Sequence, residues 1–399
     1  MRLCWFVPND EGGGVISVAL SCCRQAAAAG HDVTLLLVRP STGWVEEYAT
    51  FPYESLGKAE DGHDVPRRLV DWLNDHPQDV LFFNDCSQAH EALPYIPDRT
   101  RSVMVVHDTA RQYWQPVLEY EEVLDGVGAV SNVVARQFRD KLNTPEKLQV
   151  LHNGTVFPDR NRVHPSDDRD DDLLFLGGDK AFKGATDLLS VWQSLIDQGF
   201  DGRLHWYGNV ESTFRKRIRD LPKSEQIEVH GRVPRSVIFE RAGTSKVVLM
   251  LSRTDAFGMV TIEGMGMGAL PVAWDIETGT KEIVESGRTG FFAPLGDAEA
   301  LAAQILRACR DHDSMYDKAV ETARTRFSEE AMWDRYRRFL DELESRPSVH
   351  RPKAGQTPPA HQPPTRYFQL LPDGLRSSLR SLIARFPTLS YWLRHFRGY

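Results

Sequence analysis

Short, uninterrupted apolar runs recur along the chain, and each hands over to a polar residue or a glycine. Residues 3–7 lead into Gly12-Gly13-Gly14. A helix-like stretch over 15–29 follows, stopped by Gly30, and residues 33–38 form the next run. Continuous apolar runs are the signature of strands buried on both faces, and two of them around one helix make a βαβ unit. Residues 80–83 end at Asn84-Asp85, 102–106 at His107-Asp108, 129–130 at Ser131-Asn132, and 148–151 at His152-Asn153-Gly154. A second series comprises strands at 173–176, 204–207, 227–229, 247–251 and 270–274, with a helix over 186–198. In open α/β sheets, ligands bind at the carboxyl ends of the strands, so the polar endings are the first place to look for a site.

With 399 residues, 41% of them hydrophobic, the chain is long enough for two cored domains. Residues 1–160 form the first α/β domain in this reading and 173–327 the second. The acidic run Asp167-Asp168-Arg169-Asp170-Asp171-Asp172 repels itself and reads as a linker over 161–172. A helix over 328–346 can cross back to the first domain, and Ser328 is a weak N-cap candidate without the reciprocal acid of a capping box. The proline-rich segment 347–366 reads as an extended linker, and 367–399 as a basic amphipathic tail. In the tail, Leu375, Leu379, Leu382, Ile383 and Phe386 share a helical face beside Arg376, Arg380 and Arg385. Such a segment can lie on an anionic membrane, or pack against its own protein or a partner.

The net charge of -8 carries no basic stripe, which argues against a nucleic-acid partner. The five cysteines include no Cys-x-x-Cys and read as free, buried thiols of a reducing compartment. No stretch reaches about 18 uninterrupted apolar residues, and the start is too short for a signal peptide. The expected location is the cytoplasm, with a peripheral place on the inner face of the plasma membrane if the tail binds lipid.

Several stretches carry residues suited to chemistry. Gly13 and Gly14 stand between the first strand and first helix, where a tight turn brings backbone N–H groups close to an anion or simply turns the chain. His107, beside Asp108 at a strand end, suits a hydrogen bond to a sugar hydroxyl or a backbone group. The loop Gly177-Gly178-Asp179-Lys180-Ala181-Phe182-Lys183-Gly184 places Lys180 and Lys183 near exposed backbone N–H groups, as a diphosphate site requires, although the ending of a P-loop is missing. The densest stretch is 252–272. There Asp255 precedes a helix and Glu263 lies within it, and the N–H groups around Phe257, Gly258, Met259 and Val260 would be unpaired at the helix start. A carboxylate suits a sugar or ribose diol because it accepts two hydroxyl hydrogens. Asp168-Arg169-Asp170 has the form of a metal–nucleotide pattern but sits in a charge run. No His-Glu-x-x-His occurs, and the histidines do not cluster at ligand spacing, so no metal site is expected. No Gly-x-Ser-x-Gly elbow occurs either.

Taken together, residues 1–343 resemble a retaining glycosyltransferase of GT-B architecture, in the large family that includes sucrose synthases and bacterial mannosyltransferases. The resemblance rests on 252–272, supported by His107, 150–155, 175–184 and 229–233. It implies two Rossmann-like domains facing across a cleft, the first binding acceptor and the second the nucleotide sugar. It matches Asp255 and Glu263 to the family's paired acids, holding the donor sugar and the nucleotide ribose; the first acid is usually Glu. Phe257, Gly258, Met259 and Val260 would line the donor with backbone N–H groups, and His107 matches a histidine near the donor sugar. Gly13 and Gly14 match the glycine loop near the donor phosphate, and Gly231 and Arg232 match the loop beside the nucleobase. Lys183 matches the diphosphate lysine, while the usual arginine is replaced by Gly178, which leaves its part either to Lys180 or to backbone groups. The resemblance further implies a UDP- or GDP-linked donor, a saccharide or lipid-linked acceptor in surface polysaccharide or glycolipid synthesis, and no cofactor or divalent metal. Two alternatives share the architecture: a non-catalytic sugar-nucleotide-binding module, and a nucleotide-sugar epimerase.

Overall fold

The computed structural model describes residues 1–11, 13–57 and 64–358. Gly12, the linker portion 359–366 and the basic tail 367–399 lie outside the described residues. The chain divides into two compact units. One is Met1–Asn153 together with the chain from Met332 onward; the other is Gly154–Ala331.

The first unit holds a seven-stranded sheet: β1 (Arg2–Val7), β2 (Asp32–Leu37), β3 (Tyr53–Ser55), β4 (Val80–Asn84), β5 (Arg101–Val106), β6 (Gly126–Ala129) and β7 (Leu148–Val150). All pairs are parallel, in the order β3-β2-β1-β4-β5-β6-β7. From Leu3 to Val7, β1 is wholly inaccessible, because helices cover both faces of a parallel sheet. The strand order reverses between β1 and β4, so the loops that leave those two strands open a crevice at the carboxyl edge.

The helix Glu329–Ser345 belongs to this unit from Met332 on. Its start is capped after all: the Ala331 N–H donates to Ser328 Oγ at 3.2 Å. Met332, Trp333, Tyr336, Phe339, Leu340 and Leu343 recur at helical spacing and are buried. Tyr336 packs its ring on Trp5 and Phe82, with centroids 6.3 and 5.7 Å away. Burial of each such side chain stabilises by about 1.5–3 kcal/mol, which fixes the helix to the sheet.

Beyond Arg346 the structure departs from the extended linker expected over 347–366. Residues 348–351 form a strap across the strand ends at Asp98, Thr100 and Asp125. Val349 N–H donates to Asp125 Oδ1 at 2.9 Å, and Arg351 N–H donates to Asp98 Oδ1 at 2.9 Å. The Arg351 guanidinium is fully buried. Composition hid this, because one arginine with several waiting acceptors can anchor a segment that has little apolar surface of its own.

The second unit holds a six-stranded parallel sheet: β8 (Asp170–Leu176), β9 (Leu204–Tyr207), β10 (Ile227–Gly231), β11 (Ser245–Met250), β12 (Leu270–Trp274) and β13 (Phe291–Ala293), in the order β10-β9-β8-β11-β12-β13. Here the expected acidic linker over 161–172 is replaced by structure. β8 starts at Asp170, and Arg169 is buried just before it. Its guanidinium donates to the carbonyls of His164, Ala242, Ser245 and Met267, so neighbouring backbone oxygens compensate the charge. The acids diverge on leaving the run: Asp172 turns inward to His205 at 2.9 Å, while Asp170 and Asp171 remain exposed. The register of β9 on β10 sets Glu228 opposite His205, with His230 two residues on. Histidines that do not cluster in sequence therefore meet in the sheet, contrary to the sequence expectation.

All five cysteines are buried thiols that form no disulfide, as expected. Among the described residues, no helix is long and apolar enough to cross a membrane.

Candidate functional site

In the second unit the strand order reverses between β8 and β11. The loop after β8 carries Lys180 and Lys183, and the loop after β11 carries Asp255. Neighbouring strands bring the two loops together although about 70 residues separate them in sequence. The Arg253 N–H donates to the Phe182 carbonyl at 3.0 Å and closes the join. Gly184 makes the approach possible: its φ is +85°, and a Cβ there would lie 2.2 Å from the Leu251 carbonyl oxygen.

At this join Lys183 Nζ donates to Asp255 Oδ2 at 3.3 Å. The other oxygen of Asp255 accepts the Phe257 N–H at 3.2 Å. That N–H is therefore engaged, and the Phe257 ring turns into the core against Phe327. The expectation that Phe257 lines a donor with its N–H gives way, because a two-residue turn onto Asp255 takes that donor. Gly258 then starts the helix Met259–Gly266, whose geometry leaves the first-turn N–H groups of Met259 and Val260 without an intrahelical acceptor. Glu263 projects from the same helix one turn further on and pairs with Arg235, which also donates to Thr155 Oγ1. Nothing in the sequence singled out Arg235, since its partner depends on how two helices pack.

Lys180 is exposed and, like Lys183, holds its Nζ 5.7 Å from the Phe182 ring centroid. Gly178 adopts φ +55°, and a Cβ there would lie 2.6 Å from the Asn209 carbonyl oxygen. An arginine at Gly178 would have to displace that backbone. Arg253, the other cation of the loop, is committed to Asp187 at 2.8 Å. Gly231 accepts the Gly208 N–H through its carbonyl at 2.7 Å, and the neighbouring Arg232 is exposed.

In the first unit, Gly13 is the N-cap residue of the helix Gly14–Ala28, which no side chain caps. Asp10, just upstream, is buried and accepts from Ser41 Oγ, Thr42 N–H and Val45 N–H. Burial works against its charge, but these hydrogen bonds outweigh it and hold the carboxyl below the usual range. Asp10 thus ties the loop after β1 to the loop after β2, a role the sequence did not reveal.

His107 directly follows β5 and meets Asn84, the last residue of β4, with Nε2 2.9 Å from Asn84 Oδ1. Asn84 Nδ2 donates to the Phe82 and Phe6 carbonyls, which orients Oδ1 toward the imidazole. Nε2 must then carry the proton, leaving Nδ1 as the acceptor nitrogen. Burial pushes the imidazole down to about 4, so it is neutral at pH 7. Asp85 stands beside it in the left-handed region, at φ 54°.

The family model described as "Glycosyl transferases group 1" matches residues 156–326, and that described as "Glycosyltransferase Family 4" matches 12–156. Together they span both sheets. The chain is a GT-B glycosyltransferase of the group 1 family. Among curated relatives, N-acetyl-alpha-D-glucosaminyl L-malate synthase of Bacillus anthracis is 21% identical, over 82% of this chain and 93% of that protein. A putative colanic acid biosynthesis glycosyltransferase of Salmonella typhimurium is 28% identical, over 53% of this chain and 55% of its own. Among solved structures, Anabaena HepE in complex with UDP-glucose superposes with a TM-score of 0.70 at 17% identity, covering 87% of this chain and all of that one. Sucrose-phosphate synthase of Thermosynechococcus elongatus gives 0.65 at 15% identity, covering 86% and 99%.

One property of the glycosyltransferase's first unit is open to direct measurement. Burial, with the Asp108 carboxylate adding to it, pushes Asp85 up to about 8 from its ordinary 3.8. The folded chain therefore keeps a proton that the unfolded chain releases near 3.8. The stability this contributes is complete below about pH 3.8 and is lost as pH rises through about 8. Asp85→Asn removes the titration and keeps a residue that tolerates the left-handed backbone. Thermal melts from about pH 5 to about pH 9 should show a steeper loss in the parent than in Asp85→Asn. Parallel curves would exclude a raised Asp85.

Proposed function

We propose that the protein transfers a hexosyl group from a UDP- or GDP-linked sugar to a hydroxyl of a saccharide or lipid-linked acceptor, with retention of anomeric configuration. The observation that carries this reading is the contact of Lys183 with Asp255 where the two loops meet, beside the helix start at Gly258. A cation, a carboxylate and unpaired N–H groups at one strand edge suit a diphosphate joined to a sugar. In this reading Lys183 and the N–H groups of Met259 and Val260 hold the diphosphate, Asp255 accepts from sugar hydroxyls, and Glu263 accepts from the ribose diol.

The step needs no nucleophile from the chain. The acceptor oxygen attacks the anomeric carbon on the face from which the diphosphate leaves. The bond from that carbon to the diphosphate oxygen breaks, and the hydroxyl proton passes to that oxygen. Negative charge grows on the departing diphosphate, where Lys183 and the helix start lower its energy. His107 contributes a neutral imidazole, and its Nδ1 is suited to accept a sugar hydroxyl. No divalent cation takes part. The reading is supported by HepE, solved with UDP-glucose, and by the Xanthomonas oryzae relative named as a GDP-mannose-dependent mannosyltransferase. Relatives named for colanic acid, amylovoran and capsule synthesis favour a surface polysaccharide as the product.

A donor screen that measures nucleoside diphosphate release, with acceptors from lipid-linked oligosaccharides, tests the assignment. NMR of the product should show the anomeric configuration of the donor, and added Mg²⁺ or Mn²⁺ should not raise the rate. An inverted product would overturn the retaining step. Tight nucleotide binding with no turnover on any acceptor would overturn transferase chemistry altogether.

A further inference from the structure

On the outer strand pair of the second unit, three ligand atoms from separate residues converge. His205 Nδ1 lies 3.2 Å from His230 Nε2 and 3.3 Å from Glu228 Oε2, and His230 Nε2 lies 3.5 Å from the same oxygen. A tetrahedral zinc ion with bonds of about 2.0–2.1 Å sets its ligands about 3.3–3.4 Å apart. The three separations thus trace one face of such a tetrahedron. We propose that His205, Glu228 and His230 form a three-ligand site for a first-row divalent cation, best suited to zinc, with the fourth position open to water.

The surroundings prepare these atoms to bind a cation. His205 Nε2 lies 2.9 Å from Asp172 Oδ2, a contact that places the proton on Nε2 and leaves Nδ1 as a lone pair. Asp172 is itself fixed, since its Oδ1 accepts the Arg203 N–H at 2.8 Å. Arg203 Nη1 donates to Glu228 Oε1 at 2.9 Å and leaves Oε2 for the cluster. A carboxylate behind a ligating histidine is the usual support of a zinc site. His205 is buried, whereas Glu228 and His230 keep 34% and 29% of their side chains accessible, so the fourth position faces solvent. Two imidazoles and a carboxylate favour zinc over calcium or magnesium, which prefer oxygen ligands.

The site joins β9 to β10, the edge strand of its sheet, and His230 directly precedes Gly231 and Arg232. Its role is to clamp that edge, and no chemistry of glycosyl transfer is assigned to it. Within a parallel sheet a metal tie of this kind adds a bond that backbone pairing at an edge lacks.

The full chain, stripped by a chelator and dialysed, should take up one equivalent of Zn²⁺ by isothermal titration calorimetry. Co²⁺ in its place should give the intense visible absorption of a tetrahedral N/O site. His230→Ala and Glu228→Gln, both at partly exposed positions, should each abolish stoichiometric uptake, with circular dichroism confirming that they fold. Asp172→Asn should weaken zinc binding about 10–100-fold while keeping the stoichiometry. The absence of saturable one-to-one uptake would overturn the proposal, as would uptake unchanged in His230→Ala.

Discussion

Lys183→Ala should lower the rate of transfer by on the order of 10²–10³, the loss typical when one group that stabilises developing negative charge is removed. The loss should fall mainly on kcat. Lys183 gains most when the diphosphate takes up charge as it leaves, so its interaction is stronger in the transition state than with bound donor. Its present partner explains why the protein should still fold. Asp255 keeps the Phe257 N–H at 3.2 Å, and both Lys183 and Asp255 retain access to water. Glu263→Gln provides the contrast. A ribose contact acts on ground and transition state alike, so this change should raise KM for the donor and leave kcat nearly unchanged. Steady-state kinetics over a donor series separates the two patterns. Full activity in both variants would remove the assignment of this loop pair as the donor site.

The fold was legible in sequence because parallel strands buried on both faces read as unbroken apolar runs. β1, β4, β5, β8 and β11 were recovered this way, together with the polar residues that end them. β3 and β13, three residues each, were missed; β3 is exposed at all three positions and shows no apolar run to read. The candidate site was legible to the extent that it is local. Residues 252–272 carry Asp255, Gly258 and Glu263 in one stretch, and the turn that positions them is complete within it. What sequence reasoning missed depends on packing between elements remote in the chain. Arg235 reaches Glu263 from another helix, and Arg253 is held by Asp187 across the loop join. The same holds where charge was taken for exposure. Arg169, amid five acidic residues, is buried because four backbone carbonyls surround it, and no one-dimensional pattern displays that arrangement.

Arg351 is the strongest instance, and its removal should produce the largest change in stability. Its side chain and that of Asp125 are 0% and 1% accessible, and the two form an ion pair. The guanidinium also donates to the Val123 carbonyl at 3.1 Å, the Thr100 carbonyl at 3.1 Å and Ser102 Oγ at 2.8 Å. Arg351→Met keeps much of the volume but leaves the buried Asp125 carboxylate with only the more distant Arg101 guanidinium, at 3.7 Å, a change that costs up to about 3–5 kcal/mol. For a unit of this size the melting temperature should fall by on the order of 10 °C. Arg351→Lys should recover only part, since an ammonium cannot reach acceptors spread around a planar fork. Asp125→Asn added to Arg351→Met should also recover part, because it removes the poorly compensated charge while its one oxygen still accepts from either Ser102 or Val349, whose N–H groups the carboxylate meets with separate oxygens. A double variant no more stable than Arg351→Met would show that lost packing, not the lost compensation of the Asp125 charge, dominates. Arg351→Met melting with the parent would mean that the strap over 348–351 contributes nothing to the first unit, and the proline-rich segment would revert to a tether from Arg346 onward.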